Sequence, residues 1–124
     1  MPNGTRNPAG QLAEQAAALH LSAAGLTLLE RNFRCRAGEI DLVFLDRDIL
    51  VFIEVRLRSS ERFGGALGSV DARKQRRLYR AARRFVAARG VALQTPIRFD
   101  VIAVRGEPPH HCHFEWIRDA FQFD

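Results

Sequence analysis

At 124 residues the chain has the size of one domain, and 47% hydrophobic residues with nine phenylalanines suffice for a core, which excludes wholesale disorder. The formal charge of +5 favours polyanionic partners such as nucleic acid or an anionic membrane surface, and nearly all of the basic charge is arginine, Lys74 being the one lysine. The two cysteines, Cys35 and Cys112, form no CxxC pair, and no stretch nears the roughly 20 apolar residues of a membrane span, so a disulfide framework, a four-cysteine zinc site and a membrane location are set aside in favour of a reducing cytoplasm.

Residues 1–9, polar and turn-rich, read as a mobile tail, which leaves 10–124 as a single domain. Gln11 to Ala24 is rich in Ala and Leu and predicts a helix that Gly25 stops. Leu26 to Phe33 predicts a strand, closed by the loop Arg34 to Gly38. Glu39 to Leu45 and Ile49 to Leu57 predict a hairpin about the polar Asp46-Arg47-Asp48. Arg58 to Ser69 is rich in Gly and Ser and reads as a long loop, whose glycine-rich part 62–69 either admits a substrate or simply connects two elements. Asp71 is placed to cap a second helix running to Ala88, with Gly90 as its terminator. At helical spacing Leu78, Ala81, Ala82 and Phe85 form an apolar stripe, while Arg73, Arg76, Arg77, Arg80, Arg83 and Arg84 gather opposite, either to track a phosphate backbone or as a solvated face. A strand from Ile97 to Val104, a turn at Pro108-Pro109 and a short terminal segment ending in Ala120-Phe121 complete the chain. The pattern predicts an α/β domain with a mixed central sheet of four to five strands flanked by helices.

The chemistry concentrates on the hairpin. Side chains alternate along a strand, so Glu54 and Arg56 share one face while Val51, Ile53, Val55 and Leu57 occupy the other. A turn through Arg47-Asp48 sets Asp41 opposite Glu54, and Glu39 opposite Arg56. Opposed residues have Cβ atoms about 4.5–5.5 Å apart, where like charges repel and need an offset. Mg²⁺ or Mn²⁺, taking oxygen ligands from both carboxylates, supplies one. Such a centre is what metal-assisted phosphodiester hydrolysis requires, with Arg56 beside it to neutralise the transition state. A solvated pair of acids on an exposed sheet face is the plainer alternative. The apolar residues around them, Ile40, Leu42, Val43 and Phe44 on one strand and Val51, Phe52, Ile53 and Val55 on the other, argue against it, because charges at a sheet centre require a reason.

The strings Gly38-Glu39-Ile40-Asp41-Leu42-Val43 and Val51-Phe52-Ile53-Glu54-Val55-Arg56-Leu57-Arg58 resemble the GEIDLV and FVEVKxR signatures of the YraN-like family of predicted bacterial endonucleases. That family is similar to archaeal Holliday-junction resolvases within the PD-(D/E)xK superfamily. Arg31-Asn32, Phe63-Gly64, Lys74 with Arg77, Arg98-Phe99-Asp100-Val101 and Ala120-Phe121 extend the likeness from Glu14 to Phe121. The resemblance implies a restriction-endonuclease-like three-layer core, DNA as substrate, and a homodimer as a candidate assembly. It implies that Asp41 and Glu54 bind the metal, that Arg56 stands at the motif lysine, and that Glu14 on the first helix is an auxiliary acidic ligand.

Arg56 departs from that motif, since a guanidinium stays protonated and planar where an ammonium is a compact charge. Lys74 falls within the apolar stripe of the second helix rather than among its arginines, so it is expected to approach the carboxylates, the alternative being an ammonium that snorkels from the helix start. Gln75 with Tyr79 matches a weak QxxxY pattern of related nucleases. His110-His111-Cys112-His113 invites zinc, but adjacent ligands seldom converge on one ion. Phe114 and Trp116 read as core. The leading function is a metal-dependent DNA endonuclease, and the resemblance implies branched or irregular DNA as its substrate. The alternatives are a nucleic-acid-binding protein with a weak or lost site, and an interaction module of a DNA-processing assembly.

Overall fold

The Ala/Leu-rich run folds as helix α1 (Pro8–Ala23) in the computed structural model, which describes residues 8–58, 68, 70–108 and 110–123. The helix begins at Pro8 rather than Gln11, because proline is compatible with a first helical turn. Pro8 and Ala9 therefore leave the expected tail, and residues 1–7 lie outside the described ones. At its other end Gly25, with φ of 103°, lets Leu26 N–H close on the Leu21 carbonyl at 3.2 Å.

Strand β1 (Thr27–Cys35) runs past Phe33, so the loop expected from Arg34 to Gly38 contracts to the turn Arg36-Ala37 before β2 (Gly38–Asp46). Strand β3 (Ile49–Leu57) completes the predicted hairpin about Arg47-Asp48. The glycine-rich loop, including Phe63-Gly64, lies outside the described residues apart from its ends. Helix α2 (Ala72–Ala88) starts on Asp71, whose side chain accepts the Lys74 N–H at 2.8 Å. Strand β4 (Ile97–Glu107) then lies parallel to β3, with α2 as the crossover, and β5 (His110–Phe121) returns antiparallel beside it. The short terminal segment is thus a full edge strand. The result is a mixed five-stranded sheet in the order β1-β2-β3-β4-β5.

Each helix covers one face of the sheet. On the α1 side, Ala13, Ala17 and Leu21 pack on Leu42, Phe44, Val51, Ile53, Ile102 and Val104, with Phe114 and Trp116 against the cluster. On the α2 side, Leu78, Ala81, Ala82 and Phe85 pack on Phe33, Ile40, Val43, Phe52, Phe99 and Val101. This is a helix–sheet–helix sandwich, and no helix among the described residues is long and apolar enough to cross a membrane.

One buried acid serves the fold. Asp100, 1% exposed, receives Arg98 Nε at 2.9 Å and a terminal Arg98 nitrogen at 3.0 Å, together with Trp116 Nε1 and the Asp119 N–H, each at 2.9 Å. Arg98 also reaches Asp46 at 3.0 Å, so the cluster ties β4 to β2 and β5. Removing one member of a buried charged pair strands its partner. Asp100→Ala is therefore expected to lower unfolding free energy by about 3 kcal/mol, measured by urea denaturation.

Candidate metal centre

The hairpin register holds only part of the way. Pairing of β2 with β3 runs from Asp46↔Ile49 to Leu42↔Ile53 and stops there. Beyond that point β2 stays with β1, through Arg34↔Glu39 and Cys35↔Gly38, while β3 stays with β4 as far as Leu57↔Val104. The sheet opens into a fork, with Asp41 and Glu54 as the first residues past the last rung. The expected pairing of Glu39 with Arg56 does not form, because the strands diverge: Glu39 lies 3.8 Å from Arg34, and Arg56 is in register with Ala103.

Divergence coincides with a rotation of the β1–β2 ribbon. Leu42 and Phe44 pack on the α1 side and Val43 on the α2 side, so alternation would return Ile40 to the α1 side. Ile40 packs on the α2 side instead, as does its β1 partner Phe33. The ribbon turns over at Asp41. The Asp41 carboxylate is directed across the fork, where Oδ2 accepts the Val55 N–H at 2.8 Å. It replaces the backbone carbonyl that β2 no longer offers to β3.

Acids from several elements meet there. Glu14 of α1 and Asp41 are each 8% exposed and Glu54 is 4% exposed. Carboxylate oxygens of Glu14, Glu39 and Asp41 lie within 4.8 Å of one another. Glu39, which the sequence set only opposite Arg56, thus belongs to this group. Its spacing of two from Asp41 was the available signal. Glu54 lies outside that trio but beside Asp41: burial first, and then the Asp41 charge, push its carboxyl up from 4.5 to about 8 against the opposing influence of Lys74 and Arg56.

Two cations converge on one oxygen of Glu54. Arg56 Nε lies 3.3 Å and Lys74 Nζ 3.8 Å from Oε2, whereas Oε1 is buried and accepts no hydrogen bond. Lys74 reaches this point from the first turn of α2, as its phase on the helix predicted. An orphaned buried oxygen beside clustered carboxylates, without nitrogen or sulfur donors, suits a hard divalent cation.

The remaining candidates are distributed around this centre. Arg73, Arg76, Arg77, Arg80, Arg83 and Arg84 are all exposed on α2. Of these, Arg77 stands beside Gly38, the chain neighbour of Glu39, with its Cβ 3.6 Å from where a Cβ on Gly38 would stand. Gln75 donates to the Val70 carbonyl at 3.0 Å, and Tyr79 packs against Phe123 with ring centroids 4.7 Å apart. His111 and His113 are exposed on β5 and join no metal-ligating group among the described residues.

Comparison with known proteins gives the family. Residues 13–104 match the profile of "Uncharacterised protein family UPF0102". A UPF0102 protein of Pseudomonas entomophila is 48% identical over 122 residues, covering 98% of this chain and 99% of that protein. One from Nitrosomonas europaea is 52% identical over 112 residues, covering 90% and 92%. Matched residues 13–104 run from α1 into β4 and include every acid of the fork, so the chain belongs to the UPF0102 family, the YraN-like group whose motifs its hairpin resembles.

Proposed function

We propose that this protein is a metal-dependent endonuclease that hydrolyses phosphodiester bonds in DNA. The observation that carries the reading is the set of buried carboxylates at the fork, with two cationic side chains against one oxygen of Glu54. Asp41, Glu54 and Glu14, with Glu39, would hold Mg²⁺ or Mn²⁺, and Lys74 and Arg56 would offer positive charge to the scissile phosphate. When bound, such a cation lowers the pKa of water and offsets charge developing on the phosphate. The exposed arginines of α2 support a polyanionic substrate led past the acids. The likeness to Holliday-junction resolvases makes branched DNA the first substrate to try and a homodimer the assembly to look for. The reducing cytoplasm is the setting that two cysteines without a disulfide suit.

Arginine at the motif lysine supports one competing reading, a DNA-binding protein without efficient cleavage. Incubating the protein with branched and linear duplexes separates the two. A nuclease cuts with Mn²⁺ or Mg²⁺ and stops when the cation is chelated. A pure binder leaves the DNA intact, and with six arginines engaged its affinity falls roughly 10³-fold between about 50 and 200 mM salt, whether or not a divalent cation is present.

A further inference from the structure

Asn32 stands at the point where the β1–β2 ribbon turns over. It is the residue of β1 that faces Asp41, lying between the pairs Arg31↔Leu42 and Phe33↔Ile40. Its φ is 56°, a left-handed conformation that side chains larger than glycine adopt at a cost and that asparagine tolerates better than most. Its side-chain oxygen is buried and accepts no hydrogen bond, so a bond to that oxygen is not what keeps asparagine there. With residue 32 in an ordinary extended conformation, simple alternation would carry Ile40 to the α1 side and stand Asp41 upright on one face of the sheet. Asp41 then could not lie between the two helix layers, where Glu14 comes from α1 and Lys74 from α2.

We propose that Asn32 is the positioning residue of the centre: its left-handed backbone, rather than its amide, turns the ribbon over and directs Asp41 across the fork. The consequence for a cation rests on the function proposed above, whereas the placement of Asp41 does not. A reporter independent of metal is available in the Val55 N–H, which Asp41 holds at 2.8 Å.

Hydrogen exchange at Val55 in the full chain tests this, with the buried β4 amides of Val101 and Val104 as internal reference. Asn32→Gly, which keeps access to positive φ, is expected to leave Val55 protection within about twofold of the original protein. Asn32→Val is expected to lower it about tenfold or more with the reference amides unchanged, and Asn32→Ala to fall between them. Mn²⁺ affinity, followed by electron paramagnetic resonance, should weaken in the same order. Loss of Val55 protection in Asn32→Gly would overturn the proposal, since the amide would then be holding Asp41. Retention in both Asn32→Val and Asn32→Ala would overturn it as well. If Asn32→Val does not fold, the glycine and alanine variants still decide. The expected exchange pattern in a protein that binds no Mn²⁺ would support the positioning role and remove the metal reading alone.

Discussion

Glu54→Gln is expected to lower Mn²⁺-dependent cleavage by at least roughly 100-fold while making the metal-free protein more stable at pH 8 and above. The two effects have one origin. Burial and the neighbouring Asp41 raise the Glu54 carboxyl from 4.5 to about 8. The folded state therefore holds a proton that the unfolded chain has released between these values, and stability falls with rising pH across that window. Below pH 4.5 the carboxyl is protonated in both states and the variant should match the original protein. Above about 8 the original protein carries a buried negative charge that glutamine lacks. Arg56 and Lys74 lose their partner in the variant, which reduces the gain without reversing it, because the net shift of Glu54 is upward. Adding Mn²⁺ should invert the order, since a cation that binds only the folded original protein stabilises it. Urea denaturation at pH 4, 6 and 9, with and without Mn²⁺, reads all of this. A stability difference that does not change with pH would refute the raised carboxyl, and cleavage that survives would remove Glu54 from the reaction.

Much of this arrangement could be read from residue order, and the exceptions have physical causes. The tight turn at Arg47-Asp48 set the β2–β3 register correctly up to Leu42↔Ile53. Strict alternation then failed, because one left-handed residue on the neighbouring strand rotates the ribbon, and such a twist leaves no period in the sequence. Strand β5 was under-read although Cys112, Phe114 and Trp116 alternate with exposed neighbours. The ladder's register shifts, with Asp119 at φ of 53° near its end, interrupt the pattern that period-two reading needs. Helix α1 is so uniformly Ala and Leu that phase alone could not say which side Glu14 faces. Only the family likeness singled it out. Asp100 stood in a recognised motif without a role, since its partners Trp116 and Asp119 come from another strand, as does Asp46, the second acid that Arg98 reaches.

The substitution of arginine for the motif lysine leads to the second large expected effect: Lys74→Ala should reduce cleavage by about 100-fold, and Arg56→Ala by less. Both side chains lie against Glu54 Oε2, but they are different charges. A guanidinium is planar and bonds best where an acceptor matches its fork, and Arg56 Nε is buried with no hydrogen bond of its own. An ammonium is compact and can turn its three donors toward water or phosphate oxygen. Lys74 is also fixed at its root, because the Asp71 cap binds its own backbone N–H. The exchange has a direct corollary. Placing lysine on β3 by Arg56→Lys should restore much of the activity lost in Lys74→Ala, since both positions address the same oxygen from opposite elements. Single-turnover rates at saturating Mn²⁺ separate this effect from weakened metal binding. Were Lys74→Ala to cut at the original rate while Arg56→Ala did not, the guanidinium would be the reacting charge, and α2 would contribute only its arginine face.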